Sequence, residues 1–316
     1  MYTGGLENRP SLLRRLAGKR LLWGNGAEAI ATVRSPMIVA NLLSAHGIPC
    51  PALLFDPALV PLGGRWLVKP FRSAGGRGIR FFSPDNPSVN EHKDFYFQEY
   101  IEGSPCSALY VGDGRSAHLL GVTRQLVGED WLHAAPFHYC GSIGPIVLSE
   151  TSQESFRRLG NTLAMGCSLR GLFGVDCVLS GEVPRPVEIN PRYTASTEVL
   201  EYATGMTTIA LHRQVFECSL CESRVRPANA PHYVGKAILF ARKTFRFPDT
   251  GPWLSALQAV SCLRDLPAFA DIPLAGEDIE AGSPILTFFS RADSPANCAR
   301  ALRQIAADLD RCLFGQ

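Results

Sequence analysis

Two groups of residues in this sequence have the types and spacings that chemistry needs. The first is Val68-Lys69-Pro70-Phe71-Arg72-Ser73-Ala74-Gly75-Gly76-Arg77-Gly78-Ile79. A lysine ending a strand-like run, beside a loop with three glycines, is a phosphate-binding arrangement. Backbone N–H groups approach an anion closely where no Cβ intrudes, and the ammonium adds a point charge. The run is not a P-loop, which needs Gly-Lys-Ser/Thr leading into a helix; the glycines taken alone also suit an ordinary hairpin tip. The second group is Gly174-Val175-Asp176-Cys177-Val178, followed twelve residues after Asp176 by Glu188-Ile189-Asn190-Pro191-Arg192. Strand alternation puts Glu188 and Asn190 on one face, and Asp176 on a neighbouring antiparallel strand would meet them across the sheet. Two carboxylates and an amide oxygen are hard ligands suited to Mg²⁺ bridging a nucleotide's phosphates. On a solvated hairpin the same residues would share no task.

Both groups need strands to position them. Trp66–Lys69 and Ile79–Phe82 read as a hairpin with a long glycine-bearing tip. Strand-like runs follow at 95–101, 107–111 and 118–122, then a helix over 151–169, strands at 172–179 and 185–189, and helical spacing over 198–219. Strands at 233–241 and 284–290 precede a final helix from Pro295 to about Leu313. Upstream, the patterns predict helices over 10–20 and 36–46, with a short strand at Arg20-Leu21-Leu22-Trp23. Pro36 opens the second helix and Gly47 stops it. Helices and strands mixed without regular alternation predict an α+β fold, not a doubly wound sheet. No internal repeat is visible.

The composition narrows the classes. With 316 residues the chain should hold about two domains and a substantial core, and 46% hydrophobic against 19% charged residues is a globular balance. The formal net charge of +2 gives no broad field for nucleic acid or an anionic membrane, so ligands must be sought in local sites. Lysine occurs only at Lys19, Lys69, Lys93, Lys236 and Lys243 among many arginines, which draws attention to each. Ten cysteines are too sparse for a disulfide scaffold and read as reduced thiols. No apolar run is long enough to span a membrane and the start lacks a signal-peptide pattern, so a cytoplasmic protein is expected.

Three further motifs are weaker. Gly24-Asn25-Gly26-Ala27-Glu28-Ala29 fits a loose dinucleotide fingerprint, but the strand before it is short and the acidic candidate, Asp56, lies too far on. Cys218-Ser219-Leu220-Cys221 has metal spacing without a second pair. The histidines are scattered, and no serine sits in a nucleophile elbow.

Taken in order, Lys69 with its glycine loop, Phe97-Gln98-Glu99-Tyr100-Ile101-Glu102, Asp176, and Glu188-Ile189-Asn190-Pro191-Arg192 resemble the ATP-grasp superfamily over roughly residues 30–215. Glu188 to Arg192, continuing to Ala203-Thr204-Gly205, is most similar to the carbamoyl-phosphate synthetase and biotin carboxylase branch. The Gly5-Leu6-Glu7-Asn8 start, Thr123-Arg124-Gln125 and Tyr139-Cys140-Gly141 resemble the carboligase group near the archaeal tyramine–glutamate ligase of methanofuran synthesis.

The resemblance implies an ATP-grasp fold: two α+β subdomains gripping ATP, with the 66–97 region forming a mobile lid. It divides the chain into a shortened pre-grasp segment at 1–33, a core at 34–220 and a C-terminal part at 221–316. It assigns Lys69 and, as a second cation, Arg34 to the phosphates, with Gly75, Gly76 and Gly78 over the triphosphate. Gln98, Glu99 and Ile101 become the adenine hinge and Glu102 the ribose contact. Asp176, Glu188 and Asn190 become ligands of Mg²⁺, with Mn²⁺ as an alternative, and Arg192 clamps the carboxylate that gains the phosphoryl group. The implied reaction joins a small carboxylate to an amine through an acyl phosphate, releasing ADP and phosphate, with neither nucleic acid nor membrane as partner and a homodimer left open. Biotin carboxylase places a glutamate where this chain has Ser196, which weakens an alternative reading as a bicarbonate-dependent carboxylase. A non-catalytic ATP-binding paralogue is the other alternative.

Overall fold

A computed structural model describes residues 4–84, 94–217, 232–259, 262 and 265–315. Helices α1 (Pro10–Ala17), α2 (Ala27–Val33) and α3 (Pro36–Ala45) lead into strands β1 (Leu53–Leu54), β2 (Trp66–Pro70), β3 (Arg80–Phe81), β4 (Phe95–Glu99), β5 (Ser104–Asp113), β6 (Ala117–Val127) and β7 (Tyr139–Gly144). Then come α4 (Glu150–Cys167), β8 (Arg170–Ser180), β9 (Val183–Asn190), α5 (Ala195–Thr204), α6 (Thr208–Glu217) and β10 (Tyr233–Phe240). Strand β11 (Phe245–Arg246), helix α7 (Pro252–Ala259), strands β12 (Phe269–Ala270), β13 (Asp278–Ile279) and β14 (Pro284–Ala292), and helix α8 (Pro295–Phe314) complete the order. The chain divides into two compact units, one of Met1–Val122, Val147–Thr197 and Thr207–Pro227, the other of Thr123–Ile146, Glu198–Met206 and Ala228–Gln316.

The first unit contains two antiparallel arrangements. In the smaller, strand order is β1-β4-β2-β3, with Val68 opposite Phe97 and Lys69 opposite Tyr96. Alternation therefore sends Trp66, Val68 and Phe97 into a small core with Val60, and turns Lys69, Tyr96 and Gln98 to the other face. The expected hairpin is present, with Leu67 opposite Phe81 and Val68 opposite Arg80. In the larger, β5, β8 and β9 pair in sequence, and α4 lies beside them. Phe173, Val175 and Cys177 are buried on one face; Asp176 and its strand partner Glu188 alternate onto the other. Helix α3 begins as the sequence predicts: Ser35 caps it, its hydroxyl accepting from the Ile38 N–H, and Pro36 occupies the first turn. That fixes Arg34 in the break between α2 and α3.

The second unit is built on β6 from Thr123 onward, β7, β10, β14 and β12, all antiparallel. Cys298, Leu302, Ala306 and Leu309 form the apolar stripe of α8 and join Ala237, Leu239, Leu286 and Phe288 in its core. Lys236 is buried and pairs with Glu198, while Arg242 pairs with Asp310, so neither lysine nor arginine here is a spare cation.

The observed elements follow the α+β expectation, with local differences. Arg20–Trp23 is not a strand: Leu21 is exposed, and the Trp23 carbonyl instead accepts from His212, whose Nδ1 is engaged by the Leu172 N–H. The helical run at 198–219 breaks near Gly205 into α5 and α6. Strand β7 was not evident in the sequence, because small residues at Gly141, Ser142 and Gly144 mask its pattern. The Cys218-to-Cys221 motif lies outside the described residues. No described helix is long and apolar enough to cross a membrane.

One packing contact tests the larger arrangement. A Cβ built on Gly160 of α4 would sit 2.3 Å from the ring of Tyr110, which is fully buried on β5 and donates its hydroxyl to the Phe156 carbonyl at 2.9 Å. Glycine to alanine in a helix interior normally adds stability. Here Gly160→Ala is expected to lower stability by about 2 kcal/mol through overpacking, visible as a fall in melting temperature; an unchanged or raised value would contradict this packing.

Candidate active site

The face of β2 and β4 that carries Lys69 opens on a cavity within the first unit. Arg34, Lys69, Gln98 and Glu188 are its main polar lining, and residues such as Val39, Leu43 and Ile189 make the rest apolar. Phe71 and Tyr96 line it with their rings tilted at 38° and centroids 5.3 Å apart. A largely apolar cavity with a few convergent polar groups suits a small ligand with a flat ring and charged tail.

Lys69 is 8% exposed. Its ammonium donates to Gln98 Oε1 at 2.9 Å and to the Val187 carbonyl at 3.0 Å, so the smaller sheet reaches β9 one residue before Glu188. With three donors on an ammonium, one remains for a ligand. Burial pulls its pKa down, opposed by the carboxylates of Glu188 and Asp176. The loop after it turns as glycine allows: Gly75, Gly76 and Gly78 all have φ between 64° and 83°. A Cβ on Gly78 would stand 3.0 Å from Pro70.

Across β8 and β9, Asp176 lies directly opposite Glu188 and Gly174 opposite Asn190. The acid-acid-amide trio is therefore brought together: Asn190 Nδ2 donates to Asp176 Oδ2 at 3.1 Å. Burial, then the neighbouring Glu188 charge, pushes Asp176 up to about 7. Arg192 Nη2 donates to Asn190 Oδ1 at 3.3 Å, and Arg34 Nη1 stands 3.7 Å from Glu188 Oε1. Arg34 also donates to the Phe71 carbonyl at 2.9 Å, which ties it to the glycine loop's start.

Two candidate positions are engaged differently. Glu99 accepts from the Ala52 N–H at 3.1 Å. Glu102 is exposed and pairs with Arg65 at 3.1 Å, while Arg65 lies over the Tyr100 ring. Of the predicted site residues, Arg34, Lys69, Gln98 and Glu188 line the cavity, whereas Glu99, Ile101, Glu102, the loop glycines, Asp176, Asn190 and Arg192 do not. Ser196, at the position of the absent glutamate, donates to Ser107 at 3.2 Å. The dinucleotide-like motif is structural: Asn25 is buried, donates to the Pro191 carbonyl and accepts from the Arg170 N–H. Sequence reasoning gave no role to Glu7 or Asn8, whose side chains accept from Arg192 at 2.8 Å and Arg34 at 2.8 Å.

Residues 37–196, half of the chain, match the family model described as an ATP-grasp domain. The chain belongs to the ATP-grasp family. This ATP-grasp chain is 27% identical over 203 residues to the 3-methyl-D-ornithine–L-lysine ligase of Methanosarcina barkeri, a match covering 64% of the chain and 51% of the ligase. It is 28% identical over 224 residues to the carbamoyl phosphate synthase large chain of Beutenbergia cavernae, covering 62% of the chain and 20% of that protein. The matches thus span about half of the first of these curated relatives and a fifth of the second. In fold it resembles the L-amino acid ligase from Bacillus licheniformis (TM-score 0.74, 15% identity, 95% of this chain and 76% of that one). It also resembles the biotin carboxylase domain of the Hydrogenobacter thermophilus 2-oxoglutarate carboxylase, solved with MgADP and bicarbonate (TM-score 0.71, 14% identity, 96% and 72%).

The residues present fit the groups the ATP-grasp family implies. Two facing carboxylates and an amide oxygen are hard donors that would suit Mg²⁺. The glycine loop leaves open the space that a Cβ at Gly75 would enter without contact. The raised Asp176 value sets a pH dependence. An acid whose folded-state pKa lies above its unfolded value contributes stability below about pH 4 that is lost as pH rises through 7. Asp176→Asn is therefore expected to raise the melting temperature of metal-free, nucleotide-free protein by several degrees at pH 8 and by clearly less at pH 5, where only part of that stability has been lost. Equal effects at both values would contradict the buried-acid account.

Proposed function

We propose that this chain is an ATP-dependent ligase that joins a small carboxylate to an amine, with an acyl phosphate between the two steps. The observation that carries the reading is the meeting of Lys69 with the Asp176, Glu188 and Asn190 trio beside Arg192. Phosphoryl transfer of this kind depends on position and charge neutralisation, so a site of cations, oxygen ligands and glycines needs no nucleophilic side chain. The relatives named above include ligases of amino acids, which supports amino acids as the substrate class. Methanofuran-type cofactor biosynthesis rests on the sequence resemblance alone.

In this reading Lys69 and Arg34 hold the phosphates, the loop of Gly75, Gly76 and Gly78 covers them, and Gln98, Glu99 and Ile101 border the adenine, with Glu102 released from Arg65 to reach ribose. Asp176, Glu188 and Asn190 hold Mg²⁺, which when bound neutralises charge on the β- and γ-phosphates. Arg192 orients the carboxylate. Its oxygen forms a bond to the γ-phosphorus as the bond to the bridging oxygen breaks, and ADP departs with that electron pair. The grasp core then comprises 34–220, with 1–33 before it and 221–316 after it.

Ser196 bonded to Ser107 gives no base for bicarbonate, which favours an amine as the second substrate. Glu188→Ala is expected to reduce acceptor-dependent phosphate release by at least about 100-fold while changing nucleotide affinity by less than about 10-fold; near-normal turnover would reject the metal assignment. Lys69→Ala should weaken nucleotide binding by about 10-fold or more, read by calorimetry, and unchanged affinity would reject the loop assignment.

A further inference from the structure

Glu7 stands in the short turn Leu6–Asn8, whose Leu6 packs on Leu13 and Ile30. Its side chain is 5% exposed. One carboxylate oxygen accepts from Arg192 Nε at 2.8 Å. The other, Oε2, is buried and has no hydrogen-bond partner among the described residues. A buried carboxylate oxygen left unmatched costs free energy, and the cost is explained when a ligand supplies the missing donor.

The neighbours say which ligand. Arg192 links Glu7 to Asn190, and Asn190 links onward to Asp176, so Glu7 is one guanidinium away from the acid-acid-amide trio. Arg192 spends Nε on Glu7, Nη1 on the Tyr193 carbonyl and Nη2 on Asn190, and still has guanidinium hydrogens for a substrate carboxylate. A group held against Arg192 is then beside the carbon that the second substrate must reach. The second oxygen of a carboxylate that holds Arg192 is complementary to an ammonium. Asn8, next in the turn, accepts from Arg34, so the same segment is fixed at two points.

We infer that Glu7 Oε2 binds the ammonium of the amine substrate beside Arg192 and accepts its proton before attack. The assignment rests on the ligase reading and deepens it. The proton passes from the ammonium to Glu7, and the freed lone pair forms the C–N bond at the acyl-phosphate carbon. The C–O bond to phosphate breaks with its electron pair going to the leaving group. The second nitrogen proton goes to the departing phosphate, and Glu7 later gives its proton to water.

The test separates the two half-reactions in the full chain. Protein, Mg-ATP and each of the protein amino acids in turn are incubated with hydroxylamine, a small nucleophile largely uncharged at neutral pH, and hydroxamate is measured. The same mixtures without hydroxylamine are assayed for dipeptide by mass spectrometry. Glu7→Gln, which keeps an oxygen for Arg192 Nε, is expected to lower dipeptide formation by about 100-fold or more relative to hydroxamate formation, with Glu7→Asp recovering part of that ratio. Parallel loss of both products would show that Glu7 only holds Arg192 and would overturn the assignment. Unchanged dipeptide would overturn it as well, as would a gain, which would mark the turn as a plug on Arg192. No hydroxamate from the parent chain would sink the ligase reading, and the Glu7 assignment with it.

Discussion

The site depends on keeping two carboxylates face to face in a partly dry place. Asp176 and Glu188 are directly paired across β8 and β9, and a one-residue slip of either strand would turn its acid to the opposite face. Burial, and then the repulsion of its partner Glu188, push Asp176 up to about 7. Three cations converge to hold the pair: Lys69 beside β9, Arg34 near Glu188, and Arg192 through Asn190. With Glu7 on Arg192, the cluster carries three acids and three bases. A cation added between the facing acids relieves their repulsion, and phosphates added beside Lys69 and Arg34 meet positive charge.

The scaffold is arranged around that constraint. Period-two alternation gives each sheet of the first unit an apolar face and a polar one. The apolar faces are filled by Trp66, Val68 and Phe97 in one case and Phe173 and Val175 in the other. The Lys69–Val187 hydrogen bond then joins the polar faces, so burial on one side of each strand delivers charge on the other. Ser35 and Pro36 fix where α3 starts and thereby where Arg34 emerges.

Much of this was legible in the sequence because it rests on local periodicity. The hairpin at Lys69, the Asp176–Glu188 pairing and the last helix all follow from patterns within about twenty residues of sequence. The rest depends on contacts remote in sequence. Glu7 and Arg192 are 185 positions apart, and nothing near Glu7 says that its carboxylate is buried. Arg20–Trp23 has the composition of a strand but no neighbouring strand to pair with, so His212 takes the Trp23 carbonyl instead. Glu102 looked available by position, yet Arg65, two residues from a turn at Gly63, reaches it on the surface. Asn25, inside a motif with another apparent purpose, serves to anchor Pro191.

The most direct measurement is a crystal structure of the full chain soaked with Mn²⁺ and ADP, with the metal located by its anomalous signal. The account predicts manganese between the carboxylates of Asp176 and Glu188, with the nucleotide's phosphates against Lys69 and the loop of Gly75, Gly76 and Gly78. Metal and nucleotide ordered elsewhere, with Asp176 and Glu188 bound to neither, would contradict it.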